Sequence, residues 1–214
     1  MSTPARIRDL LLAQRVVPVL RFGSAATTIR AVDCLREAGF STFEITLTTP
    51  GAVELISELH ARIGATAIVG AGTITDLDAA RRCVDAGAQF LVSPCVVPGL
   101  AAVAHDAGRA ALIGGLTPTE ILAAHREDAD IVKVFPASVG GPAHLGALHA
   151  VFPSVLLCPT GGVTLDNLKS YFAAGAALVG VGNNLIDQPA LAAGDIARVI
   201  AGARRFLDPT VSAA

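Results

Sequence analysis

Charge is scarce in this chain. Only 16% of its 214 residues are Asp, Glu, Lys or Arg, the formal net charge is -2 and the isoelectric point lies near 6.2. That balance provides no basic field for nucleic acid and no polybasic patch for a membrane surface, so neither is expected as a partner. Long apolar runs are missing too. Hydrophobic residues make up 52% and mean hydropathy is +0.59, yet no stretch reaches the roughly 18 to 20 uninterrupted apolar residues of a spanning helix. No secretory leader is visible: Met1 to Arg8 runs into an amphipathic segment holding Asp9 and Gln14, not into an apolar core with a small-residue cleavage site. A cytoplasmic location is expected. The four cysteines, Cys34, Cys83, Cys95 and Cys158, form no CxxC pair, which argues against a zinc knuckle or redox motif and for reduced, mostly packed thiols. The five histidines (His60, His105, His125, His144, His149) form no HExxH and no triad spacing. Surface or capping roles are expected of them, and no metal or other cofactor is implied. No linker or low-complexity run divides residues 1–214, so one domain is expected.

What is present is alternation. Short β-branched runs at Val16–Leu20, Thr42–Leu47, Ala67–Val69, Phe90–Val92, Ala111–Ile113, Ile131–Val134, Val155–Leu157 and Leu178–Val181 read as strands. An opening helix near Pro4 to Gln14 precedes them. Helical periods follow at Ala25–Ala38, Ala52–Arg62, Asp76–Ala86, Pro98–Ala107, Pro118–His125, Ala143–Ala150 and Asp166–Ala174, with a last helix in Leu191–Phe206. Gly39, Gly87, Gly108 and Gly175 close several of them in the manner of left-handed caps. Eight strand–helix units predict an α/β fold, a single-domain (β/α)8 TIM barrel with an extra N-terminal helix. A doubly wound open sheet is the alternative, but no GxGxxG follows the first strand to mark a dinucleotide site.

Lysine occurs only at Lys133 and Lys169, and Lys133 stands inside the apolar run Ile131-Val132-Lys133-Val134-Phe135-Pro136. Burial favours the neutral form of an amine and is one way a lysine becomes nucleophilic. A strand-end lysine that snorkels to solvent or pairs with a carboxylate is the alternative. In a barrel the chemistry sits at the carboxyl ends of the strands. The polar residues there are Arg21, Glu44 with Thr46 and Thr48, Thr73, Ser93, Thr117, Lys133, Thr160 with Gly161 and Gly162, and Gly182 with Asn183. Glu44, within Phe43-Glu44-Ile45-Thr46-Leu47, is the obvious partner for Lys133. Such a pair either fixes strand register or does chemistry, and buried pairs seldom add net stability over apolar residues. The small residues Gly161, Gly162, Gly182 and Asn183 after strands seven and eight suit an anion approached by backbone N–H groups, although glycines also serve tight turns. Arg21 could clamp a carboxylate or simply cover the barrel mouth.

Eight ordered segments carry a resemblance: Val17-Pro18-Val19-Leu20-Arg21, Phe43-Glu44-Ile45-Thr46-Leu47, Gly70-Ala71-Gly72-Thr73, Gly87-Ala88-Gln89-Phe90, Ser93-Pro94, Thr117-Pro118-Thr119-Glu120, Lys133-Val134-Phe135-Pro136 and Pro159-Thr160-Gly161-Gly162-Val163. Over nearly its whole length the chain resembles the 2-keto-3-deoxy-6-phosphogluconate (KDPG) aldolases and related 4-hydroxy-2-oxoglutarate (KHG) aldolases. The resemblance implies a metal-free class I aldolase on a (β/α)8 barrel, usually a homotrimer, acting on a small 2-keto acid, commonly a phosphosugar acid. It implies that Lys133 is the Schiff-base lysine and Glu44 the general acid/base. Thr73, Pro94, Phe135 and Thr160 would line a pyruvate pocket, with Arg21 and Thr73 at its carboxylate end. Gly161 and Gly162 would serve the phosphate, beside Gly182 and Asn183 in the last turn. Three departures stand out: Thr48 replaces an arginine common after the strand-two glutamate, Asn183 replaces a frequent serine, and Gly146 stands where a lysine is common. They keep open the galactonate analogue and a shorter, dicarboxylic or unphosphorylated acid. Two other functions stay open on the residues alone: an isomerase or epimerase using Glu44 as base, and a keto-acid sensor without turnover.

Overall fold

In the computed structural model, which describes residues 3–208, strand and helix alternate from Val16 onward. Met1, Ser2 and residues 209–214, the two ends of the expected domain, lie outside the described residues. The strands are β1 (Val16–Leu20), β2 (Thr42–Thr46), β3 (Ile68–Gly72), β4 (Phe90–Val92), β5 (Ala110–Gly115), β6 (Ile131–Val134), β7 (Leu157–Pro159) and β8 (Val179–Val181). The helices are α1 (Pro4–Gln14), α2 (Ala25–Ala38), α3 (Ala52–Ile63), α4 (Leu77–Asp85), α5 (Leu100–Asp106), α6 (Pro118–Arg126), α7 (Gly141–Val151), α8 (Leu165–Ala173), α9 (Gln188–Ala193) and α10 (Ile196–Arg204). The sheet order β7-β6-β5-β4-β3-β2-β1-β8 is parallel throughout. Only the isolated bridges Leu157↔Ala176 and Thr160↔Gly180 close it between β7 and β8. The expected (β/α)8 barrel with its extra N-terminal helix is the observed fold.

Alternation along each strand separates two cores. Outward residues such as Val16, Phe43, Ile45, Val69, Ala71, Val132, Val134 and Val179 pack under the helices. Inward residues Val17, Ile68, Phe90, Val92, Ala110, Leu112, Ile131, Cys158 and Leu178 fill the barrel together with Ile7 and Leu11 of α1. Helix α1 therefore plugs the amino-terminal mouth. It is started by Pro4 at its first turn and by the Thr3 hydroxyl, which accepts from the Arg6 N–H. Because Leu11 is fully buried, truncation to alanine is expected to cost about 2–5 kcal/mol. A urea midpoint unchanged in Leu11→Ala would mean that α1 does not plug the barrel.

The bounds of β1, β4 and β6 coincide with the sequence reading, whereas two strands lie further along the chain than expected. Strand β3 runs on through Gly70-Ala71-Gly72, beyond the β-branched run that marked it, and β7 starts at Leu157. The expected last helix is broken by Gly194 at φ +78, after which Asp195 caps α10. Gly39, Gly87, Gly108 and Gly175 do adopt positive φ at helix ends, +113, +93, +71 and +98. Among the described residues no helix is long and apolar enough to cross a membrane.

Candidate active site

Above the apolar plug the barrel interior turns polar, and the change follows from strand parity. Glu44 is two residues along from inward Thr42, and Lys133 two from inward Ile131, so both point into the barrel. Strands β2 and β6 are four positions apart in the eight-stranded order, and the two side chains meet across the barrel. Lys133 Nζ donates to Glu44 Oε1 at 3.3 Å, with Lys133 5% and Glu44 3% exposed. Nζ also lies 5.5 Å from the Phe135 ring centroid, within cation–π range. Thr160 is buried on β7's carboxyl end, its Oγ1 3.8 Å from Cys158 Sγ.

Three glycines make the space. A Cβ on Gly72 would overlap the Glu44 carboxylate, one on Gly180 would overlap the Thr160 hydroxyl, and one on Gly114 would overlap the Pro94–Cys95 backbone. The sequence alone carries no signal for the packing role of Gly72, Gly114 or Gly180. Their role depends on what stands opposite, which no local pattern records. Gly72→Ala is expected to keep the fold, because the atom it meets is a side-chain end, and to displace Glu44 from Lys133. Unaltered turnover in that variant would show that the carboxylate has room to spare.

The remaining expected residues ring the mouth. Arg21 continues the inward parity of Val17 and Val19, is exposed, and follows Leu20, whose carbonyl accepts from Thr46 Oγ1 at 3.1 Å. Thr46 Oγ1 and Thr48 Oγ1 are 2.9 Å apart, so the hydroxyl at position 48 is tied down at the rim. Thr73 is half-buried at φ +65, an uncommon conformation for a β-branched residue, which turns the chain out of β3. Pro94, half-buried, sits in the loop laid over Gly114 and held by the Ser93 hydroxyl, which donates to the Cys95 carbonyl at 2.7 Å. Gly161 and Gly162, at φ +90 and +81, form a left-handed pair that lies against the Phe135 ring and the Ser138 Cβ. Side chains rarely adopt two successive positive φ angles, so this turn requires its glycines. The turn after β8, with half-buried Gly182 and exposed Asn183, is tied to it by Asn184 Nδ2 donating to the Val163 carbonyl at 3.0 Å. Gly146 is removed from all this: its nearest neighbour is Ala174, at the far end of α8. Position 146 therefore lies away from the turns after β7 and β8.

Three of the four thiols are buried, as expected, and Cys95 is exposed. Burial pushes the Cys83 thiol up to about 11 and Cys158 up to about 12. A thiol reagent at neutral pH should therefore label one cysteine rapidly in the native protein, Cys95 by peptide mapping, and four after denaturation. Fast native labelling of Cys158 would contradict the closed barrel interior. The histidines do more than cap: His105 Nε2 pairs with Asp130 at 2.8 Å, and His144 Nε2 lies 2.8 Å from the Leu116 carbonyl.

The family description "KDPG and KHG aldolase" matches residues 7–201. The chain belongs to this family. The "2-dehydro-3-deoxy-phosphogluconate aldolase" of Pseudomonas aeruginosa is 34% identical over 210 residues, covering 95% of this chain and 93% of that protein. The "Probable 2-dehydro-3-deoxy-6-phosphogalactonate aldolase" of Rhizobium meliloti is 37% identical over 166 residues, covering 77% and 78%. Among solved structures, the KDPG aldolase of Legionella pneumophila "with pyruvate captured at low pH as a covalent carbinolamine intermediate" superposes with a TM-score of 0.84 at 26% identity, covering 92% of this chain and 96% of that one. This KDPG/KHG-type aldolase barrel thus has its buried Lys133–Glu44 pair at the end where barrels carry out chemistry.

Proposed function

We propose that this aldolase is of class I, cleaving 2-dehydro-3-deoxy-6-phosphogluconate to pyruvate and D-glyceraldehyde 3-phosphate through an imine on Lys133. On this reading 4-hydroxy-2-oxoglutarate, giving pyruvate and glyoxylate, is a further substrate. The observation that carries the reading is the 3.3 Å contact between Lys133 Nζ and Glu44 Oε1, both buried. The Legionella relative, described with pyruvate captured as a carbinolamine, supports it.

The residues have distinct parts in the chemistry. Lys133, as the free amine, attacks C2 of the keto acid, and the carbinolamine loses water to give an iminium. The C3–C4 bond then breaks, its electron pair passing to the iminium as an enamine, while the C4 hydroxyl proton passes to Glu44, directly or through water. The aldehyde leaves, C3 takes a proton back, and hydrolysis frees pyruvate and Lys133. Arg21 and Thr73 hold the carboxylate, Thr160 and Phe135 border the imine, and Pro94 helps keep bulk water out. The N–H groups of Gly161, Gly162, Gly182 and Asn183 take the phosphate.

A second reading, cleavage of the galactonate analogue, is favoured by the similarity to the Rhizobium protein. The two substrates differ in configuration at C4, and assaying both separates them. We further propose that the chain works in the cytoplasm as a homotrimer, which light scattering would measure directly.

The deciding experiment is borohydride reduction with pyruvate followed by peptide mapping. Lys133 and Lys169 are the only lysines, and Lys169 is exposed on α8. The reading expects a pyruvate-dependent adduct on Lys133. Bound pyruvate without an adduct would point instead to an isomerase or a sensor.

A further inference from the structure

One ionisable group in the barrel interior has no part in that chemistry. Cys158 is paired in register with Lys133 across the β6–β7 ladder, so the two side chains project to the same side as neighbours. It is 3% exposed. Its other interior companions are Val17, Ile68, Phe90, Val92, Ala110, Leu112, Ile131 and Leu178, all apolar. Cys158 is thus the uppermost member of the apolar plug and the lateral neighbour of the amine. Its surroundings can be named element by element: Lys133 from β6, Glu44 from β2, the Thr160 hydroxyl on its own strand at 3.8 Å, and backbone of Gly180 on β8. Among the described residues no further charged group acts on it.

We infer that Cys158 is a positioning residue of the imine reaction: it closes the flank of Lys133 with a side chain that is small, neutral and poorly hydrated, so that Glu44 alone governs the amine's proton. The inference rests on the imine reading of Lys133. A serine at 158 would fit the same volume but draw water and solvate the ammonium, favouring the protonated, unreactive amine. A carboxylate would add a second negative charge. An alanine would remove the sulfur without adding a polar group, and the gap it leaves is smaller than a water's share of liquid volume, so it draws in no water. A thiol is chemically suited to the place because burial holds its proton at every working pH, its titration being pushed up to about 12. It therefore contributes no charge of its own beside the amine.

The test compares wild type, Cys158→Ser and Cys158→Ala by the pH dependence of the pyruvate-dependent, borohydride-trapped adduct on Lys133. Circular dichroism and thermal melts establish that each variant is folded. The midpoint of the alkaline rise in trapping rate should move up by at least about half a pH unit in Cys158→Ser, a roughly twofold loss at the wild-type midpoint and roughly threefold well below it. It should stay in place in Cys158→Ala even though that variant melts earlier. Superposable midpoints for wild type and Cys158→Ser, or equal shifts in both variants, would reduce Cys158 to packing and overturn the inference. Failure of the underlying reading looks different, since wild type itself would then give no adduct.

Discussion

Lys133→Arg is expected to fold and to lose cleavage altogether. The guanidinium stays charged at any working pH and cannot form an imine, yet it can keep an ion pair with Glu44 across the barrel. The fold should therefore be spared the penalty of a buried carboxylate left without a partner, about 3–5 kcal/mol when one member of a buried pair is simply removed. The loss in kcat/KM should exceed the roughly 10²–10⁴-fold that an acid–base group contributes, because the covalent route itself has gone. Turnover should be followed by coupling pyruvate release to lactate dehydrogenase. Residual activity within tenfold of wild type would rule out imine catalysis at this lysine.

Glu44→Gln should have the next largest effect. The amide preserves shape and one hydrogen-bond acceptor for Lys133 but takes up no proton, so kcat should fall by about 10²–10⁴-fold. Adduct formation with pyruvate should survive at a reduced rate, because attack by the amine precedes the proton transfers assigned to the carboxylate. The split between surviving trapping and collapsed turnover is the signature of an acid–base residue. A rate equal to wild type would remove Glu44 from the scheme.

Both residues were legible in the sequence for one reason: a charge within a β-branched run has to be explained. Their place at the carboxyl ends of strands pointed to the barrel mouth, whereas strand parity is visible only in the structure, because Ile131, Val132 and Val134 are all apolar. What was not legible depends on partners far away in sequence. Gly72 must be a glycine because Glu44 stands opposite, Gly114 because the Pro94 loop crosses it, and Gly180 because of Thr160. None of these relations has a local signal. Strand β3 extends past the β-branched run to Gly72, since Gly70 and Gly72 leave room for Phe90 and Glu44. The histidines show a related limit: His105 meets Asp130 from the segment leading into β6, a partner that helical periodicity does not reveal. The family segments pointed to the mouth residues, whereas the insulation of Gly146 from the site required the packing of α7 on α8.

The narrow closure between β7 and β8 has a dynamic consequence. Seven of the strand junctions are pairings within the sheet, the one between β3 and β4 through the single pair Ala71↔Leu91, and the eighth rests on two isolated bridges beside the two glycine-containing turns proposed to take the phosphate. Few backbone hydrogen bonds need break for the cylinder to open between β7 and β8, and amide exchange should be faster along that line than at the β2–β3 ladder with its five registered pairs. An anion held by the turns on both sides would act as a clasp, so that substrate closes the cylinder it reacts in and raises its stability with the logarithm of ligand concentration above the dissociation constant.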